Sequence, residues 1–157
     1  MVQELFFQLS AFGYLGIFFI SLIGSSTIIF PLPAAAFVFW AGVILNPLIL
    51  GIVAGLGAAV GELVGYGLGF GGRKIGQEKL KEKLERAKRI FEKYGGFFVL
   101  ILFAATPLPD DIVGIVSGIL KYEIKKFFVA VLIGKIIFHL ILSYAGYYGI
   151  NGILNFF

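Results

Sequence analysis

Three ionisable residues stand inside long apolar runs. Glu62 lies in the run 48–72, and Lys135 and His139 lie in the run 127–150. A carboxylate, an ammonium and an imidazole in such surroundings can pair, hydrogen-bond or exchange protons. A lone charge at the centre of a bilayer costs about 2.5–3.5 kcal/mol even on insertion scales. Pairing, or neutralisation by proton transfer, relieves that cost. At helical spacing Lys135, His139, Ser143 and Gly146 share one face. Two readings stand side by side: Glu62 forms a static buried pair with Lys135 while His139 is a hydrogen-bonded core residue, or Glu62 gains and loses a proton with His139 as relay. A second polar group follows proline. Asp110 and Asp111 come directly after Pro109, and Thr106 directly precedes Pro107. One aspartate suits a helix cap. A second carboxylate at membrane depth needs a proton, a cation or a lipid amine. The hydroxyls of Ser25, Ser26, Thr27 and Thr106 can satisfy carbonyls freed by the prolines, or line a polar path.

These groups need a scaffold, and proline sets its breaks. Pro31-Leu32-Pro33 and Pro107-Leu108-Pro109 each end a helix, because proline lacks a backbone donor and clashes with the preceding turn. The apolar piece 34–45 would rise about 18 Å as a helix, against about 30 Å of hydrocarbon. Pieces 95–105 and 110–120 are as short. They read as arms of two re-entrant hairpins with Pro31, Pro33, Pro107 and Pro109 at the tips. Residues 12–30 are either the first arm of the first hairpin or a full span. Runs 48–72 and 127–150 are long enough to cross. Gly57, Gly61, Gly65 and Gly69 recur every fourth residue, the small-residue stripe that lets another helix backbone approach. In 74–93, Leu80, Leu84, Ala87, Phe91 and Tyr94 make an apolar stripe among charges. This segment reads as a helix on the membrane surface, or as a connector packed on the domain. Arg73 and Lys74 contact headgroups by snorkelling.

The two halves resemble each other. The Pro-Leu-Pro triplets are 76 residues apart, as are Gly42 and Gly118. Tyr14–Phe18 resembles Tyr94–Phe98 at an offset of 80. Gly57, Glu62, Leu63 and Gly69 fall on Gly134, His139, Leu140 and Gly146 at an offset of 77. This order of matches reads as internal duplication.

The chain of 157 residues is 59% hydrophobic and 14% charged, where a soluble domain carries about a quarter charged residues. It reads as one integral membrane domain, all α, with repeat one at 12–72, a connecting helix at 73–93 and repeat two at 94–150. There is no cysteine, so thiolate chemistry and disulfides are excluded, and one histidine argues against a His-rich metal site. Met1-Val2-Gln3-Glu4 has no basic region, so no cleaved signal is expected. Residues 73–93 carry nine Lys/Arg and four Glu, which suits anionic headgroups rather than nucleic acid. By the positive-inside rule this segment and Lys121–Lys126 are cytoplasmic. The second hairpin then opens inward and the first outward, which makes the copies antiparallel. Inverted repeats with broken helices are an architecture of secondary transporters. No nucleophile–base–orienter set and no phosphate loop is readable, so neither an enzyme nor a cofactor is expected. Membrane lipids are the expected partners, with room for a homo-oligomer.

Three features resemble the DedA/VTT-domain family, also called SNARE-associated Golgi proteins. They are the paired proline-tipped hairpins, then Gly57…Gly61-Glu62…Tyr66…Gly69 followed by Gly72-Arg73-Lys74-Ile75-Gly76, and Tyr94-Gly95 with proline and Ser117-Gly118 after it. The spacing from Tyr66 to Gly72-Arg73 is looser than the family's. The resemblance implies a multi-pass protein of the cytoplasmic membrane that translocates or scrambles lipid or lipid-linked substrate, with proton coupling in bacterial members. Those members usually carry Arg three residues either side of the second hairpin's proline. Counted from Pro107, Ala104 and Asp110 stand there. Their absence keeps open a small-cation or drug exporter, and more weakly a non-transporting scaffold that binds partners through 73–93.

Overall fold

The computed structural model describes residues 2–26, 34–106 and 111–154, with side chains at 12–26, 34–72, 82, 84–106 and 113–149. The helices are α1 (Val2–Ser26), α2 (Ala34–Ala41), α3 (Pro47–Tyr94), α4 (Gly96–Ala104), α5 (Asp111–Ile119) and α6 (Ile124–Leu154). No strand occurs among the described residues. The four hairpin-tip prolines, Thr27 and Asp110 lie outside them.

Asn46 starts α3. Its Oδ1 accepts from the N–H groups of Leu48 and Ile49 at 3.0 and 3.3 Å, and Pro47 takes the first helical position, where its missing donor is harmless. The apolar stretches of α3 (Pro47–Gly72) and α6 (Ile124–Gly149) are long enough to cross a membrane. Their outward faces are apolar and exposed: Ile52, Leu56, Val60, Val64 and Leu68 on α3, and Ile133, Ile137 and Ile141 on α6. Such faces suit hydrocarbon and would be a liability in water.

Contacts fix the direction of each helix. Gly51 packs on Leu140 and Gly55 on Ile136, so α3 and α6 run in opposite directions. A Cβ at Gly55 would come 2.7 Å from the Ile136 Cα, so only glycine permits this crossing. Gly57 lies on the carbonyl of Phe18 and Gly61 on that of Leu22, so α1 runs with α3. Gly96 meets Tyr122 and Gly134 meets Ile101 and Ala104, so α4 runs with α6. The Tyr14 hydroxyl accepts from the Asn46 N–H at 3.0 Å, bringing the middle of α1 to the end of the α2 arm. Gly114 meets Glu62 and Tyr66 and Gly118 meets Tyr66 and Phe70, so α5 runs with α3 and doubles back on α4. Of the predicted glycine stripe, Gly57 and Gly61 face α1, Gly69 faces α5, and Gly65 is buried.

Close contacts recur at the spacings of the sequence repeat. Gly42 sits on the Ser143 carbonyl and Gly118 on the Tyr66 carbonyl. Gly69 sits on the Ile115 carbonyl and Gly146 on the Phe39 carbonyl. Between the two contacts of each set, the equivalent hairpin-arm residues are offset by 76 and the equivalent long-helix residues by 77. The buried face of α3 (Leu50, Ala54, Ala58, Glu62, Tyr66) matches Phe127, Val131, Lys135, His139 and Ser143 of α6 at the offset of 77. Thus α3 packs on the second arm of the later hairpin, and α6 on the second arm of the earlier one.

Three boundaries differ from the sequence reading. The first helix begins at Val2, not near residue 12, and α2 ends at Ala41, after which the chain turns, with the Leu45 N–H bonded to the Ala41 carbonyl at 2.8 Å. The expected break between 72 and 74 is absent, and 47–94 is one helix. That helix is not straight. From Tyr66 to Phe91 a straight helix would run about 38 Å. Yet Tyr66 Oη donates to the Tyr122 carbonyl at 2.6 Å, and the Phe91 ring stands edge-on to Tyr122 at 5.6 Å. Residues up to Phe70 pack regularly on α5, and those from Glu82 face α4 and α5, so the axis turns between them. Gly71, Gly72 and Gly76 fall there, where backbone restriction is least. Beyond the bend, the stripe packs on the domain from Leu84 to Phe91, and the Leu80 side chain lies outside the described residues. Leu84 is buried and Ala87 and Phe91 half-buried, whereas Tyr94 is 61% exposed and belongs to another face.

Substitutions at the paired glycines are expected to act alike. Gly42→Val and Gly118→Val should each strongly destabilise the protein in a thermal unfolding scan in detergent. Gly67→Ala, which meets nothing within 4 Å, should be neutral or add up to about 1 kcal/mol of helix preference. A scan in which Gly118→Val matches wild type would contradict this packing.

Candidate functional site

Glu62 is brought to Lys135 by the antiparallel crossing of α3 and α6. Glu62 Oε1 lies 2.9 Å from Lys135 Nζ, with the side chains 2% and 8% exposed. Gly61 beside it packs on Leu22 and Ser25, and Gly114 of α5 lies against the other side, where a Cβ would stand 3.4 Å from Glu62 Oε2. A hollow of about 10 Å³ next to the carboxylate is walled by Leu100, Ala104, Val113, Phe127 and Val131. That is about the volume of one water, with few polar partners to hold it. The pair is thus a charge-assisted contact in apolar walls.

His139 follows Lys135 by one turn. Its Nδ1 lies 2.8 Å from the Lys135 carbonyl. A carbonyl only accepts, so Nδ1 carries the hydrogen and proton exchange falls to Nε2. One turn further, Ser143 Oγ lies 2.8 Å from the Pro47 carbonyl and 3.0 Å from that of Leu140, sharing one proton between them. A polar file of Lys135, His139 and Ser143 therefore runs along the buried face of α6, from Glu62 toward the start of α3.

The other sequence candidates fare differently. Thr106 Oγ1 donates to the Phe103 carbonyl at 2.9 Å and Ser26 Oγ to the Leu22 carbonyl at 2.7 Å, so both serve carbonyls near helix ends. Asp110 lies outside the described residues. Asp111 opens α5, but its side chain lies outside them, as do those of Arg73 and Lys74 within α3. Ala104 is 3% exposed and faces Gly134, which leaves no room there for an arginine.

Some buried polar groups lie outside the candidate site residues read from sequence. Ser21 Oγ and Ser117 Oγ are buried without a hydrogen-bond partner in the structure. Ser117 stands in the Ser117-Gly118 motif, whereas no sequence signal distinguishes Ser21 from other small helix-packing residues. Tyr122, which ties Tyr66 and Phe91 together, lay in what read as a polar loop.

Compared with known families, the chain matches the family model of the VTT domain over residues 32–148. No curated protein and no solved structure matches it.

Removing one partner of the pair should cost far more than removing both. Lys135→Met strands the Glu62 charge and should destabilise by about 3–5 kcal/mol. Adding Glu62→Leu to Lys135→Met should recover most of that loss. A double-mutant cycle by thermal unfolding measures the coupling, and additive losses would contradict a buried ion pair.

Proposed function

We propose, because this chain belongs to the VTT-domain family, that it is a multi-pass transporter of the cytoplasmic membrane, translocating or scrambling lipid or lipid-linked substrate. The chain is an all-helical, membrane-associated protein of DedA/VTT type. On this reading the pairs α1–α2 and α4–α5 are re-entrant hairpins entering from opposite sides, and the halves form an inverted repeat. The recurrence of glycine contacts at 76 and 77 residues, together with the opposed directions of α3 and α6, supports that arrangement. The basic residues of 73–93 then face the cytoplasm.

The observation that carries the mechanism is the Glu62–Lys135 pair at the crossing of the two spanning helices. A buried pair is weak evidence for stability, since its desolvation offsets its attraction. A role as a switch accounts better for its position. Protonating Glu62 removes the partner of the Lys135 ammonium, which weakens the contact between α3 and α6. The helices can then shift relative to the hairpin arms packed on them. His139, held by the Lys135 carbonyl, takes or passes the proton along the α6 file. Asp110 and Asp111, next to the second tip, extend the substrate or proton path.

A second reading has a specific observation in its favour. The buried contact of Ala104 with Gly134 removes one arm of an arginine clamp for phosphate. A small-cation or drug exporter needs no such clamp.

Protein-only liposomes separate the two. Lipid transport predicts that purified wild-type protein moves a labelled phospholipid between leaflets and that an imposed pH gradient changes the rate. Glu62→Gln, which keeps shape and removes charge, should fold and lose the response to the gradient. No lipid movement, with uptake of an organic cation instead, favours the exporter. Unchanged pH dependence in both Glu62→Gln and His139→Gln contradicts proton coupling and leaves the ion pair a structural one.

A further inference from the structure

A second hollow lies away from the ion pair, between the returning part of α3 and the α4–α5 hairpin. Its volume is about 410 Å³, within the range of about 300–1,000 Å³ typical of small-molecule sites. Ala87 and Phe91 form one wall, Val99 and Phe103 of α4 a second, and Val113 and Val116 of α5 a third. Its charged lining residues are Glu82 and Arg86, one helical turn apart and both exposed, so they stand at the rim. Folded interiors leave few voids larger than a water molecule, so apolar walls around this volume describe a place to be filled.

We propose that this groove binds one acyl chain of an anionic phospholipid, with the lipid phosphate held by Arg86. The walls supply apolar contact and almost no hydrogen-bonding groups, which fits a hydrocarbon chain and not a polar solute. Charge complementarity selects the headgroup. The helix bearing Arg86 carries nine Lys/Arg against four Glu over 73–93, and such basic surfaces attract anionic leaflets. Glu82 lies one turn before Arg86, so the phosphate engages from the Arg86 side. A second copy of the chain is a poor fit. The outward positions next to the groove, Glu85, Lys88, Arg89, Glu92 and Lys93, are exposed and charged, unlike the core of a protein interface. The site is distinct from the ion pair but adjoins it. Val113 lines both this groove and the hollow beside Glu62. A lipid seated here braces the bent part of α3 against the hairpin, whether or not the protein transports lipid.

Photo-crosslinking of the full-length protein in vesicles tests the site. The probes are phosphatidylglycerol and phosphatidylcholine carrying a diazirine in one acyl chain, with adducts mapped by mass spectrometry. The site predicts adducts concentrated on peptides bearing Ala87–Phe91, Val99–Phe103 and Val113–Val116. Phosphatidylglycerol should be favoured about fivefold, the preference expected of one surface arginine for an anionic lipid. Arg86→Gln should reduce that preference toward unity, and Arg86→Lys should retain most of it. Adducts spread over the exposed faces of α3 and α6 would show bulk lipid only and overturn the proposal. So would equal labelling of the groove by the two lipids in the wild-type protein, a comparison that needs no variant to fold.

Discussion

The closest approach between the two long helices governs much of this structure. Gly51 and Gly55 let α3 settle against Leu140 and Ile136 of α6 at a separation that a single methyl group would prevent. Helices in a membrane gain nothing from exchanging lipid for another apolar surface, so van der Waals contact at close range must hold them. The crossing sets where everything else goes. It places Glu62 within 2.9 Å of Lys135. It also positions Gly69 and Gly146 to receive the second arms of the two hairpins, through the carbonyls of Ile115 and Phe39. The arms α2, α4 and α5 are too short to cross a bilayer alone, so their place depends on the long helices they lie against.

The ion pair owes its isolation to the same packing. Leu100, Ala104, Val113, Phe127 and Val131 come from three helices and close an apolar wall around the carboxylate. With water largely excluded, the pair cannot be broken cheaply unless a proton arrives. The Lys135–His139–Ser143 file is a suitable polar route, because its members repeat along one buried face of α6. The Glu62–Lys135 contact at the crossing is thus one whose charge can change.

Much of this was legible in the sequence, for physical reasons. Helical spacing put Lys135, His139, Ser143 and Gly146 on one face, and all four are buried there. The cost of burying charge made a Glu62–Lys135 pair one of two readings, and the pair is present. The duplication offsets of 76 and 77 came from scattered glycines and acquire meaning as matching contacts. Other features were hidden. In the sequence the Gly51 and Gly55 crossing is masked by the longer and more regular stripe from Gly57 to Gly69. The change from apolar to charged residues at Gly72-Arg73 suggested the end of a helix, but it marks a change of surroundings, and the backbone continues through a bend. Tyr66 and Tyr122 meet across 56 residues, a separation at which local periodicity carries no information.

The account rests on two hairpins that open on opposite sides of one membrane, and side-specific labelling tests that most directly. The protein contains no cysteine, so single cysteines at Phe12, Asn46, Glu92 and Lys121 report without background. A membrane-impermeant maleimide should label Phe12→Cys and Asn46→Cys from the outside of intact cells, and Glu92→Cys and Lys121→Cys only after the cytoplasmic face is opened. Labelling of Asn46→Cys and Lys121→Cys from the same side, or of Phe12→Cys and Asn46→Cys from opposite sides, would contradict the inverted arrangement.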